Sequence, residues 1–141
     1  MRPSKEEYYL GIALAVSKRS TCLKRHYGCV IVKDDVIVAT GYNGSPRGCD
    51  NCCDIGKCQR ADSDRYKGYD KCPAVHAEQN ALLVVDRAHS QGATLYLACE
   101  MNVLNEWYED DDPRPCNMCE KMIRNSGITR VVNRRGDVLW D

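Results

Sequence analysis

The sequence has no surplus of either charge. Its 141 residues carry 20 lysines and arginines against 20 aspartates and glutamates. A chain built to grip a phosphate backbone is usually basic, so nucleic acid is not expected as a partner. No apolar run approaches the roughly 20 residues that a membrane helix needs. The apolar stretch YYLGIALAV near the start is short and follows Glu6 and Glu7, a poor match to a signal peptide. There is no internal repeat, interdomain linker or low-complexity segment. The length suits one domain spanning 1–141, large enough to bury a core without disulfide staples. Together these absences point to a cytoplasmic protein with no membrane partner.

What the sequence does have is cysteine, ten in all. In a reducing compartment, clustered cysteines point to metal rather than to disulfides. The rest of the chain reads as an alternation of elements. SKEEYYLGIALAVSKRS has helical spacing, and Ser4 with Glu7 fits a capping box. YGCVIVK and VIVATGY are β-branched runs separated by Asp34-Asp35, which predicts a hairpin. Residues 42–72 show no period and read as a long loop. Residues 74–89 read as a helix, ATLYLAC as a strand, and 100–114 as an irregular acidic loop that is a solvated surface excursion. PCNMCEKMIRNSG predicts a helix stopped by Gly127, ITRVV a strand, and DVLW a short last strand. This order implies an α/β fold with a mixed sheet packed by helices.

Two motifs carry chemistry. In HAEQNALL (76–83), a histidine and a glutamate stand one residue apart at a helix start. Glu78 read alone is an ordinary acid in a first turn, favourable to the helix dipole. In PCNMC (115–119), Cys116 and Cys119 open a second helix, where the N-terminal dipole lowers thiol pKa values. One imidazole and two thiolates make a three-ligand zinc set with a fourth position for water, the mark of a catalytic zinc. Zinc bound there makes a water acidic near neutrality, and Glu78 can shuttle its protons. Residues two apart on a helix point about 200° apart. His76 and Glu78 therefore share a pocket only from a helix's first turn. Half of a structural zinc knuckle is the competing reading for Cys116 and Cys119.

H-x-E followed by P-C-x-x-C is the established signature of zinc-dependent deaminases. The chain resembles the cytidine/deoxycytidylate deaminase family, and within it the deoxycytidylate (dCMP) deaminases. The resemblance runs through STCLKRHYGCVIV (20–32), TGYNGSPRGCDNCCDIG (40–56), CPAVHAEQNALL (72–83), GATLYL (92–97) and PCNMCEKMIRNSGITRVV (115–132). It implies a single-domain cytidine-deaminase-like three-layer sandwich, a mixed β-sheet with helices on both faces. It implies a catalytic zinc on His76, Cys116 and Cys119, with Glu78 protonating the ring nitrogen and then the leaving ammonia. The expected reaction is hydrolytic deamination of a cytosine mononucleotide, dCMP to dUMP. Asn43 of GYNG is the candidate for a substrate hydrogen bond, against the reading that it is a turn asparagine. Lys24, Arg25, Arg134 and Arg135 are candidate phosphate ligands. Resemblance also suggests a homo-oligomer, a hexamer, and deoxynucleoside triphosphate effectors such as dCTP and dTTP. Deamination of cytosine, a nucleoside, guanine or tRNA adenosine is the alternative, and a non-catalytic zinc-binding module is another.

A second, structural zinc is expected. Cys49, Cys52, Cys53, Cys58 and Cys72 fall within residues 49–72, and Cys22 precedes the first strand. So long a loop with few apolar residues cannot hold itself by packing, whereas a four-thiolate zinc would pin it. Some dCMP deaminases that this chain resembles carry an additional zinc. The set chosen is Cys22, Cys52, Cys58 and Cys72, with Cys53 as substitute for Cys52. The competing reading is small buried thiols without metal.

Overall fold

The structure, a computed structural model, describes residues 1–60 and 71–139. Among these the elements run α1 (Lys5–Ser17), β1 (Arg25–Lys33), β2 (Val36–Tyr42), α2 (Cys52–Ile55), α3 (Ala77–Val84), α4 (Arg87–Ser90), β3 (Thr94–Val103), β4 (Glu106–Asp110), α5 (Asn117–Ser126), β5 (Arg130–Asn133) and β6 (Gly136–Asp137). The Ser4 hydroxyl caps α1 by accepting from the Glu7 N–H at 3.1 Å. Asp34 and Asp35 join β1 to β2 with φ of 50° and 61°, positive at both turn positions as a two-residue type I′ hairpin requires.

The sheet order is β2-β1-β3-β5-β6, with β4 also on β3. β3 runs antiparallel to β1 and parallel to β5, so the sheet is mixed. Alternation along β1 and β3 feeds two cores. Cys29, Ile31, Leu95 and Leu97 pack with Ala77, Ala81 and Ile123 under α3 and α5. Val30, Val32, Tyr96 and Ala98 pack with Tyr9, Leu10 and Ala13 of α1 on the opposite face. The result is the expected three-layer sandwich. No helix among the described residues is long and apolar enough to cross a bilayer.

Three expectations are corrected. The helix predicted over 74–89 is two helices, because Val85 turns extended (φ −83°, ψ 137°) and the Asp86 carboxylate caps a new start on the His89 N–H at 2.8 Å. The last strand is Gly136–Asp137 rather than DVLW; Val138 follows it, buried, and donates to the Val131 carbonyl at 2.7 Å. The third correction concerns 100–114, which is no irregular loop. β3 continues to Val103, turns at Leu104 and Asn105 (φ 52° and 65°), and returns as β4. β4 thus fills the edge of β3 beyond the point where β5 ends, and Asn133 at that junction donates to Asp112 and to the Pro113 carbonyl. Trp107 stacks on His26 with ring centroids 3.6 Å apart. Beneath them Glu100 is buried; burial alone would raise its carboxyl, but hydrogen bonds from Lys18 and His26 outweigh that and hold it below the usual range.

Helix α3 lies almost in contact with the sheet. A Cβ placed on Gly41 of β2 would stand 2.2 Å from the Ala77 carbonyl oxygen and 2.6 Å from the Ala81 nitrogen. The neighbouring Cys29 thiol donates to the same Ala77 carbonyl at 3.4 Å. Gly41→Ala is therefore expected to cost about 1–3 kcal/mol as overpacking, measured by denaturant unfolding. If α3 yields by about 1 Å, activity falls on the order of 10²-fold. Wild-type stability and turnover in this variant would show that the approach is slack.

Candidate active site

His76 is the N-cap of α3, in extended conformation (φ −71°, ψ 153°). It therefore stands outside the helix while Glu78 lies inside its first turn. That resolves the 200° divergence expected of two residues on one helix. The His76 N–H donates to the Gln79 side-chain oxygen at 2.8 Å, and the Gln79 amide reaches the Met118 thioether at 3.5 Å. Gln79 thus braces α3 against α5. Cys116 is the N-cap of α5, and its sulfur accepts from the Cys119 N–H at 3.4 Å.

The two helix starts bring three ligand atoms together. His76 Nδ1 lies 3.6 Å from Cys116 Sγ and 3.3 Å from Cys119 Sγ, and all three atoms fall within 4.8 Å of one another. Tetrahedral zinc with bonds of about 2.0 Å to nitrogen and 2.3 Å to sulfur requires N···S separations near 3.5 Å. The donor set fits that ion. Cys119 is buried while His76 and Cys116 are exposed, so one side of the set opens to solvent. The helix dipole was expected to lower both thiols. For Cys119 it does not prevail: burial first, then the Glu78 and Cys116 charges, push the thiol well up.

Glu78 is 5% exposed, and burial raises its carboxyl above the usual range despite a backbone hydrogen bond and the nearby His76. Its charge is felt by Cys29 and by Tyr27, which places it over β1. A buried carboxyl beside the ligand set, and not part of it, suits a group that moves protons.

The other nominated residues divide. The Asn43 side chain is buried, accepting from the Tyr27 N–H at 2.8 Å and donating to the Arg25 carbonyl at 3.0 Å. It holds the start of β1 to the GYNG turn, with one lone pair and one N–H left over. Arg25 lies against Tyr27 and contacts Asp110 at 3.4 Å. Arg134 pairs with Glu109 at 2.7 Å and Arg135 with Asp111 at 3.3 Å, while Lys24 is exposed. Cys52 is buried at the start of α2, and its thiol is raised by burial and further by Cys22, Cys58 and Cys72. The four thiols gather there, although no three stand as close as the His76 group. The Lys24 N–H donates to the Cys22 sulfur at 3.4 Å. Cys53 is exposed. Gln79, Tyr27 and Gly41 were not singled out as individual residues by sequence reasoning. Only glycine at a strand interior hinted at Gly41.

Residues 3–134 match the family model described as the cytidine and deoxycytidylate deaminase zinc-binding region. A deoxycytidylate deaminase of Mycobacterium phage D29 is 42% identical over 138 residues, covering 93% of this chain and 94% of the relative. A deoxycytidylate deaminase of Saccharomyces cerevisiae is 39% identical over 94% of this chain but only 38% of that longer protein. The crystal structure of dCMP deaminase from cyanophage S-TIM5 in complex with dCMP and dUMP superposes with a TM-score of 0.65 at 29% identity, covering 94% and 82% of the two chains. The chain belongs to the cytidine and deoxycytidylate deaminase family of zinc-dependent hydrolytic enzymes.

Glu78→Gln keeps the side chain's shape and removes its proton chemistry. Activity is expected to fall at least by the roughly 10²–10⁴-fold that general acid–base catalysis contributes, since one group serves more than one transfer. Zinc, measured by metal analysis, should remain. Near-normal turnover or loss of the metal would count against the role.

Proposed function

We propose that this protein deaminates dCMP to dUMP with release of ammonia, and that it acts in the cytoplasm. The observation that carries the reading is the convergence of His76, Cys116, Cys119 and buried Glu78 at two helix starts. The similarity to proteins named deoxycytidylate deaminase supports the substrate. The His76 imidazole and the Cys116 and Cys119 thiolates would hold zinc, which would supply Lewis acidity and lower the pKa of a water. Glu78, buried beside that set, would accept a proton from the attacking water, pass it to N3 of the ring and hand a second proton to the departing amino group. The water oxygen bonds to C4, its remaining proton is the second one passed on, and the C4–N4 bond breaks with loss of ammonia as the C4 carbonyl forms. Arg25, on the sheet face that carries Glu78, is the cation we assign to the 5′-phosphate. Asn43 keeps enough free capacity to meet the sugar. Exposed Leu83, Val84 and Met118 offer apolar surface for a second copy in a homo-oligomer.

Steady-state kinetics test the substrate. kcat/KM for dCMP should exceed that for deoxycytidine by about tenfold or more, as a charge-assisted phosphate contact contributes about 1.5–3 kcal/mol. Arg25→Gln should erase most of that preference. Equal or better use of deoxycytidine would give the nucleoside reading the advantage.

A second, structural zinc on Cys22, Cys52, Cys58 and Cys72 belongs to the same proposal. Supporting it are the closeness of Cys22, Cys58 and Cys72 to the Cys52 thiol and the N–H bonds to the Cys22 and Cys52 sulfurs. Cys52 is preferred to Cys53 because it is buried and Cys53 is not. Protein purified without chelator should hold about two zincs per chain, and Cys58→Ser about one, with reduced thermal stability. One zinc in the wild type would remove the second site.

A further inference from the structure

The β3–β4 hairpin sets an acid beside the group assigned to phosphate. Residues 25, 27 and 29 alternate onto the face of β1 that packs under α3, where Cys29 meets the Ala77 carbonyl. Four residues of strand carry the chain about 13 Å from Cys29 to Arg25, a distance on the scale of a mononucleotide. Cys99 pairs with Tyr27 on one side and with Asp110 on the other, so Tyr27, Cys99 and Asp110 form one row across three strands. Arg25 leans into this row, against the Tyr27 phenol and within 3.4 Å of the Asp110 carboxylate. The chain that leaves β4 at Asp110 reaches the ligand Cys116 six residues later.

The other acids of this segment have their own partners. Glu109 pairs with Arg134, Asp111 with Arg135, and Asp112 with Arg114 and Asn133. Among the described residues, Arg25 is the only cation in contact with Asp110. A single 3.4 Å contact between partly exposed groups is weak and readily exchanged, whereas a phosphate offers the guanidinium two oxygens. A nucleotide that takes Arg25 leaves Asp110 uncompensated, and the strand register keeps that carboxylate beside the phosphate.

We infer that Asp110 is a specificity-determining residue that limits the substrate to one phosphoryl group. Arg25 neutralises a monophosphate well enough to offset Asp110, but a second phosphoryl adds negative charge that the Asp110 carboxylate repels. Like charges brought together in a partly desolvated mouth discriminate strongly. This inference rests on the mononucleotide reading above, and it assigns Asp110 a role through Arg25 rather than a contact with the reacting atoms.

The test compares kcat/KM for deoxycytidine, dCMP and dCDP in wild type, Asp110→Asn and Asp110→Glu. Wild type should favour dCMP over dCDP by about tenfold or more. Asp110→Asn should bring the two within about threefold, the change lying in KM rather than kcat, and Asp110→Glu should retain the discrimination. Because the asparagine variant could fold poorly, a second measurement uses wild type alone: the preference for dCMP over dCDP should shrink with added salt, as screening requires. A preference that survives both Asp110→Asn and high salt overturns the inference while leaving the mononucleotide reading intact. Wild type that uses dCDP as well as dCMP also overturns it. A wild type that prefers deoxycytidine to dCMP removes the mononucleotide reading, and this inference with it.

Discussion

The structure depends on the near-contact between the first turn of α3 and the sheet. Gly28 and Gly41 are one register step apart, on opposite faces of β1 and β2. A Cβ on Gly28 would stand 2.2 Å from the Ala13 carbonyl oxygen of α1, just as one on Gly41 would strike α3. Both helices lie directly on backbone there. His76 and Glu78 sit at the end of α3 that is pressed down. Their positions are therefore set by contacts between main chains, which deform less than side chains do. Gln79 adds a lateral brace to α5, so two separate helix starts behave as one frame for the three ligands.

Electrostatics are arranged around the same frame. An acidic segment beside the site of an anionic substrate would be self-defeating if its charges stood free. Instead, arginines from β1, from the β5–β6 turn and from the segment itself take one acid each. Each of these pairs is weak alone. Their collective effect is to hold β4 in register along β3 while leaving little net charge on that flank.

Much of this was legible in the sequence. The β-branched runs and the Asp34-Asp35 turn located β1 and β2, and the paired motifs named His76, Cys116 and Cys119, whose side chains the fold brings together, because period and motif spacing are local properties. The missed hairpin is instructive. MNVLNEWYED alternates, and it contains aromatic strand formers and a turn asparagine, but its acids suggested solvent. Their neutralisation depends on Arg25, Arg134 and Arg135, which are remote in sequence. Leu104 at positive φ gave no turn signal, being a residue that rarely adopts that conformation. The break at Val85 was hidden for a similar reason: the apolar period continues through it, and only the Asp86 cap reveals it. The closeness of Gly41 to Ala77 is a tertiary fact that no local pattern encodes.

The chain between GYNG and the catalytic helix is a closed circuit. Gly44 and Val75 form an antiparallel bridge, with the Gly44 N–H on the Val75 carbonyl at 3.1 Å and the reverse bond at 2.7 Å. The bridge fixes where the excursion leaves and where it returns, one residue before His76. The two main-chain bonds pin Val75 to the GYNG turn, so the backbone that leads into His76 is tied to the end of β2 as well as to α3. Closure entropy rises only slowly with the number of residues enclosed. A loop of this length is therefore closed at modest cost by two main-chain bonds, and the zinc proposed on Cys22, Cys52, Cys58 and Cys72 would pin the enclosed chain a second time.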